Sequence, residues 1–168
     1  TGIDALRITG HRAKHGRIRL AYFSADFRRH PLAFLTAGLF EAHDRSRFEL
    51  IAFVFGPPVR GPMRARIAAA FDQFIEADDR ADADVALLAG EMEIDIAVDL
   101  MGFTAHSRTG IFARRAAPVQ VSFLGYPGTM GADYIDYLIA DTTVIPREDV
   151  RHYAEKIAYL PDTYWPFD

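Results

Sequence analysis

The sequence predicts an α/β protein built on a doubly wound, Rossmann-like parallel sheet. Three observations carry that prediction. Short apolar runs alternate with helical stretches along nearly the whole chain, as repeated βαβ units require. The apolar runs are close to continuous rather than alternating, as in strands covered on both faces. Polar residues gather just after those runs, at the carboxyl ends of the strands, where an open α/β sheet binds its ligands.

The elements follow in order. Residues 1–16 are basic and unpatterned and read as a linker. His11 and His15 stand four apart there, but Gly10 and Gly16 argue against the helix that would let them share a metal. "IRLAYF" (18–23) is the first strand. "HPLAFLTAGLFEAH" (30–43) is a helix, with Pro31 in the first turn, where the missing N–H costs nothing, and Leu32, Leu35, Leu39 and Phe40 at helical spacing. "FELIAFVF" (48–55) is a strand closed by Gly-Pro-Pro, and "PMRARIAAAFD" (62–72) an Ala-rich helix. "QFIEA" (73–77) is a short strand, and "DADVALLAGEME" (82–93) a helix with Asp82 as its N-cap. "IDIAVDL" (94–100) is a strand ending near Asp99, "TGIFARR" (109–115) a short helix, and "VQVSFLG" (119–125) and "YIDYLIAD" (134–141) further strands. "REDVRHYAE" (147–155) reads as a helix and "KIAYLP" (156–161) as the last strand. Right-handed crossovers then wind the helices onto both faces of one sheet.

Composition bounds the function. The 168 residues suit roughly one domain, and half of them are apolar, enough for a core without metal or disulfide staples. There is no cysteine, so thiol chemistry is excluded. A net charge of −4 without a basic stripe argues against nucleic-acid binding. No apolar run is long enough to span a bilayer and no signal peptide is apparent, which makes the cytoplasm the expected location. The cations are almost all Arg, with only Lys14 and Lys156, and Asn is absent, a usage that fits a GC-rich bacterial genome. The chain opens on Thr1 and is expected to be a piece of a longer protein.

Three stretches carry candidate chemistry. In "SADFRRHP", Asp26 closes a strand and His30 opens a helix, whose dipole favours anions. A neutral imidazole beside a carboxylate is a candidate general base or hydrogen-bond donor. The alternative is that Asp26 caps a turn and His30 is a half-buried polar residue. Arg28 and Arg29 read as a solvated loop. In "VDLMGFTAHSR", Gly102 permits a sharp turn, and Thr104, Ser107 and Arg108 supply donors, or else form an ordinary polar loop with Arg108 paired to an acid. His106 reads as surface. In "FLGYPGTMGADYIDY", Gly125, Gly128 and Gly131 recur around Pro127 and Thr129, so backbone N–H groups can approach a ligand, or the loop is a tight turn between strands. It matches neither the dinucleotide fingerprint nor a Walker A loop.

Taken together, "RIRLAYFSADFRRHP", "IDIAVDLMGFTAHSRTGIFARRAAPVQVSFLGYPGTMGADYIDYLIAD" and "EKIAYLPDTY" resemble the catalytic region of the O-linked N-acetylglucosaminyltransferase family, which includes the SPINDLY-type protein O-fucosyltransferases. The resemblance covers residues 17 to 164. It implies a GT-B fold, two Rossmann-like lobes around a cleft, of which residues 17–168 would be the N-terminal lobe. It implies inverting transfer of a sugar, N-acetylglucosamine from UDP-GlcNAc, to Ser or Thr of acceptor proteins, with no metal or cofactor beyond the nucleotide-sugar donor. The family's active-site histidine and aspartate fall on His30 and Asp26, with Pro31 beside them. Gly102, Phe103, Thr104 and Arg108 would border the sugar and acceptor. Leu124 and Gly125 would touch the donor sugar, with Pro127, Gly128 and Thr129 completing that loop. Phe103 stands where a tyrosine or histidine is common, and Leu32 where animal relatives carry threonine. The resemblance implies that the uridine pocket, a diphosphate-binding lysine and tetratricopeptide repeats belong to other parts of a parent chain, so that this stretch alone is expected to be inactive. A GDP-fucose or glucose donor, and a non-enzymatic scaffold, stay open as rivals. A flavodoxin-like module ranks below them, because no glycine follows the first strand.

Overall fold

The computed structural model describes residues 16–168. The predicted linker and the His11/His15 pair lie outside the described residues, apart from Gly16. Seven strands, β1 (Ile18–Ser24), β2 (Phe48–Val54), β3 (Gln73–Glu76), β4 (Ile96–Asp99), β5 (Val119–Phe123), β6 (Tyr137–Ala140) and β7 (Lys156–Tyr159), form one sheet. Its order is β3-β2-β1-β4-β5-β6-β7, and every pairing is parallel. Four α-helices cover it: α1 (Pro31–Glu41), α2 (Pro62–Ala69), α3 (Asp82–Glu91) and α4 (Thr109–Ala113).

The two faces bury separate cores. Leu32, Ala37 and Phe40 of α1 and Ile67 of α2 pack with Phe27 and Phe71 over Leu20, Tyr22 and Leu50. Val85, Ala86 and Ala89 of α3 and Ile111 and Phe112 of α4 pack over Ala21, Phe23 and Phe53, whose two rings stack at 4.6 Å. This is the doubly wound arrangement. The chain builds β1, β2 and β3 outward in one direction, then returns through α3 to lay β4 on the other side of β1. The connections on either side of β1 therefore diverge, and a crevice opens between the ends of β1 and β4.

Several local expectations are corrected. Ala81, not Asp82, is the N-cap of α3, and no side chain caps it. The Asp82 carboxylate is held instead by the Arg108 guanidinium at 2.7 Å, an ion pair that outcompetes a neutral amide. The predicted helix over 147–155 is a 3₁₀ helix over Arg147–His152, after which Glu155 is drawn inward to the loop that follows β5. The helix predicted to reach Arg115 stops at Ala113, because Arg115 turns to φ 60°. The segment after β7 runs back across the sheet. Tyr164 donates its amide to Asp141 and buries its ring in the first core, and Asp168 pairs with Arg66 of α2. Among the described residues, no helix is long and apolar enough to cross a membrane.

Two glycines set how closely the loops pack at the strand ends. A Cβ on Gly56 would lie 1.9 Å from the Ala25 carbonyl oxygen, and one on Gly125 would lie 1.9 Å from that of Leu100. Both neighbours are backbone and cannot yield without moving a strand. A Cβ on Gly90, late in α3, meets nothing within 4 Å. Replacement by alanine is therefore expected to have opposite signs at two sites. Gly56→Ala should lower unfolding free energy by about 3 kcal/mol through overpacking. Gly90→Ala should raise it by about 0.5–1 kcal/mol through helix propensity. Urea unfolding of both variants beside the wild type checks this.

Candidate active site

The β1–α1 loop shows how the sequence shapes the crevice. Ser24 ends β1, and its hydroxyl accepts the Asp26 amide at 2.9 Å, turning the chain out of the strand. Asp26 is buried, with the Arg28 Nη2 3.1 Å from Oδ1 and the His30 Nδ1 3.6 Å from Oδ2. His30 is the N-cap of α1. It is extended, at φ −145° and ψ 149°, and its Nδ1 accepts the Leu32 amide at 3.3 Å. A ring nitrogen that accepts carries no proton, so the neutral imidazole carries its hydrogen on Nε2. In this state His30 offers the cleft a donor. To offer a basic Nε2, the ring would have to protonate at Nδ1 and exchange the Leu32 amide for Asp26.

The cleft has a volume of about 370 Å³. The β1–α1 loop contributes Asp26, Arg28, His30 and Pro31, and the β4–α4 loop contributes Thr104, Ala105 and His106. Leu124 and Gly125 enter from the end of β5, Leu32 and Leu35 from α1, and Trp165 from the C-terminal segment. Leu124 at φ 68° and His106 at φ 66° hold left-handed backbone without being glycine, a strain that concentrates at ligand sites. The Nε of Arg28 is buried without a hydrogen-bond partner. An orphan donor of this kind is expensive, at about 1–3 kcal/mol, unless a ligand satisfies it.

The predicted residues divide into those that meet and those that do not. Asp26, His30, Pro31, Thr104, Leu124 and Gly125 come together in the cleft. Gly102 and Phe103 do not line it. Gly102 turns at φ 55°, with no room for a Cβ against Tyr126, and the Phe103 ring meets Tyr126 edge-on at 5.5 Å. Pro127, Gly128 and Thr129 do not line it either, and Pro127 and Thr129 bond to the segment 153–155. The Thr129 hydroxyl donates to Glu155 at 2.8 Å, the Met130 amide donates to the same carboxylate, and the Pro127 carbonyl accepts from Tyr153. The amides of Gly125, Met130 and Gly131 bond within the protein. Arg108 lies outside the cleft. Its donors go to Asp82 and to the carbonyls of Ala77 and Arg80, and it crosses the Phe55 ring at 5.4 Å. It braces one loop against another, and the acid-paired alternative describes it.

Three charged or aromatic cleft residues were not among the predicted site residues. Arg28 is a partner of Asp26 rather than a solvated residue, a role its i+2 spacing could have suggested. His106 is exposed, as expected, but on the lip of the cleft. Trp165 is brought in by the long return of the C-terminal segment, for which no local pattern exists. Among the described residues no group of three or more His, Cys, Asp or Glu is arranged to hold a metal ion.

Comparison with known proteins bears on the whole chain. A model of the family described as Glycosyl transferase family 41 matches residues 6–168. The chain is 36% identical over 152 residues to a probable UDP-N-acetylglucosamine–peptide N-acetylglucosaminyltransferase SEC of Arabidopsis thaliana, covering 90% of this chain and 16% of that protein. It is 33% identical to the UDP-N-acetylglucosamine–peptide N-acetylglucosaminyltransferase of Caenorhabditis elegans, over 89% of this chain and 13% of that one. Among solved structures, a K341M mutant of the Thermobaculum terrenum O-GlcNAc transferase superposes with a TM-score of 0.86 at 33% identity, over 90% of this chain and 29% of that chain. The chain thus spans a small part of each relative.

Beside the cleft, the end of β4 holds a second informative acid. Asp99 is buried and accepts the amides of Met101 at 2.9 Å and Gly102 at 3.2 Å, shaping the loop that carries Thr104. Burial pushes its pKa up from 3.8 to about 6, and the two amides oppose that rise only in part. The folded state therefore holds this proton more tightly than the unfolded chain, and the group's contribution to stability is lost as pH rises from about 4 through about 6. Asp99→Asn removes the titration. Its stability relative to wild type should climb across that window by up to about 3 kcal/mol, as measured by urea unfolding at several pH values. A flat difference would mean that Asp99 does not titrate there.

Proposed function

The chain belongs to glycosyl transferase family 41, and from that premise we propose that it forms the N-terminal Rossmann-like lobe of a two-lobed, GT-B protein O-glycosyltransferase. The parent enzyme transfers N-acetylglucosamine from UDP-GlcNAc to Ser or Thr of acceptor proteins. The observation that carries the reading is the cluster of Asp26, Arg28 and His30 where the strand order reverses, in a cleft of about 370 Å³. The names of the relatives support the donor.

The chemistry follows from the groups at hand. The acceptor hydroxyl forms a bond to the anomeric carbon in line, the bond from that carbon to the diphosphate breaks, and configuration inverts. The leaving diphosphate needs electrostatic stabilisation, which in this reading comes from the second lobe. Here His30 donates Nε2–H to an oxygen of the reactants, because its Nδ1 is committed to capping α1. Asp26 and Arg28 fix the loop that aims it. The hydroxyl proton then passes to a group other than Nε2, either Asp26 or a phosphate oxygen of the donor. Thr104 and Leu124–Gly125 border the sugar.

The test uses the full-length parent protein with UDP-GlcNAc or GDP-fucose, a lysate as acceptor, and mass spectrometry as readout. Wild type should transfer N-acetylglucosamine. His30→Ala and His30→Ser should both lose at least about a hundredfold in transfer rate. Only His30→Ala should also lose about 1 kcal/mol of stability, since serine restores a capping oxygen. A parent protein that transfers neither sugar and binds neither nucleotide would sink the enzyme reading in favour of a scaffold. Full activity in His30→Ser would reduce His30 to a helix cap.

A further inference from the structure

The β2–α2 loop and the first turns of α1 enclose a second hollow of about 510 Å³ that the chemistry above leaves unused. Its floor is apolar. Phe34 and Val59 are nearly half exposed there, at 48% and 46%, with Met63 beside them. Its rim carries three cations, Arg29, Arg60 and Arg64. Arg64 is anchored by two bonds to Glu76, at 2.5 and 2.6 Å, and by one to the Phe27 carbonyl. Arg29 and Arg60 are exposed, and neither makes a hydrogen bond or ion pair among the described residues. In a chain of net charge −4, this is a local excess of positive charge around an apolar floor.

The hollow adjoins the cleft. Arg28 and His30 line the cleft, and Arg29 between them lines the hollow. On α1, Pro31 and Leu35 face the cleft and Phe34 faces the hollow. Crossing the flank of a helix about 10 Å wide takes an extended chain, at about 3.3 Å per residue, only a few residues.

We propose that this hollow receives the flank of the acceptor polypeptide and selects segments in which an apolar side chain stands beside Asp or Glu, about two to five residues from the acceptor hydroxyl. The apolar side chain covers Phe34 and Val59, and the acid meets Arg29 and Arg60. A basic flank is repelled by the same pair, so the rim discriminates in both directions. The inference rests on the acceptor being a protein, as proposed above.

The experiment uses the full-length parent and three synthetic serine peptides whose flank reads Glu-Phe-Asp, Gln-Phe-Asn or Lys-Phe-Lys. Wild type should show a KM about tenfold lower for the acidic peptide than for the basic one, and the difference should shrink at about 500 mM salt. The double variant Arg29→Glu/Arg60→Glu should lose or invert that preference, with kcat on the neutral peptide unchanged. Anisotropy of the same peptides carrying fluorescein reads binding without any transfer step, so it decides the proposal even if the protein proves to transfer no sugar. Acidic-peptide binding that the double variant abolishes supports the proposal. Equal KM and equal binding for all three peptides, or a preference untouched by the double variant, overturns it. So does a change in sedimentation coefficient without a change in peptide preference, because a second copy of the chain would then be the occupant.

Discussion

The parallel pairing of β1 with β4 is the constraint on which the rest of the structure depends. β1 sits at the reversal, bonded to β2 on one side and to β4 on the other. Its own connection turns toward α1, and the connection from β4 turns toward α4 on the opposite face. No helix can close the gap between them, and a polar crevice is left over two packed cores. Had β4 been laid outside β3, Asp26 and Thr104 would stand at remote points of one sheet rim. The apolar sequence of the strands thus has a functional consequence, since it forces a two-faced sheet and the two-faced sheet requires a reversal.

A crevice lined by loops is useful only if the loops hold still, and the molecule fixes them with buried polar anchors rather than with more apolar surface. Asp99 gathers the amides of the β4–α4 loop, Glu155 holds Thr129 and Met130, and Arg108 joins that loop to the one before α3. Each anchor is a charged group with several hydrogen bonds, the condition under which burial of charge is tolerated. The Asp99 carboxylate, bonded only to amides, carries an evident desolvation penalty. Backbone proximity does the remainder at Gly56 and Gly125, where the neighbouring strand leaves no space for a side chain.

What could be read from the sequence follows from this division. Strands and long helices were legible, because burial on one or two faces writes a period into the chain, and so was the Asp26–His30–Pro31 junction, where every interaction spans a few residues. The parts that were not legible share a cause. Asp82 looks like a cap until it is seen to be the partner of Arg108 across 26 positions, the acid-paired alternative for that arginine. Thr129 belongs to Glu155, 26 residues on. Trp165 reaches the cleft only because Tyr164 is pinned by Asp141 and Asp168 by Arg66. Polar partners distant in sequence leave no periodic trace, and a loop residue's role is decided by which partner it finds.

His30 shows how fold and chemistry come to share one atom. Its Nδ1 completes the first turn of α1, and that commitment dictates which nitrogen can face the cleft with a proton. A serine or aspartate would cap the helix at least as well. What imidazole adds is a second polar atom on the far side of the ring, carried on a side chain that the cap has already immobilised. The helix therefore helps to orient the ring, together with Asp26, whose carboxylate lies 3.6 Å from the same Nδ1.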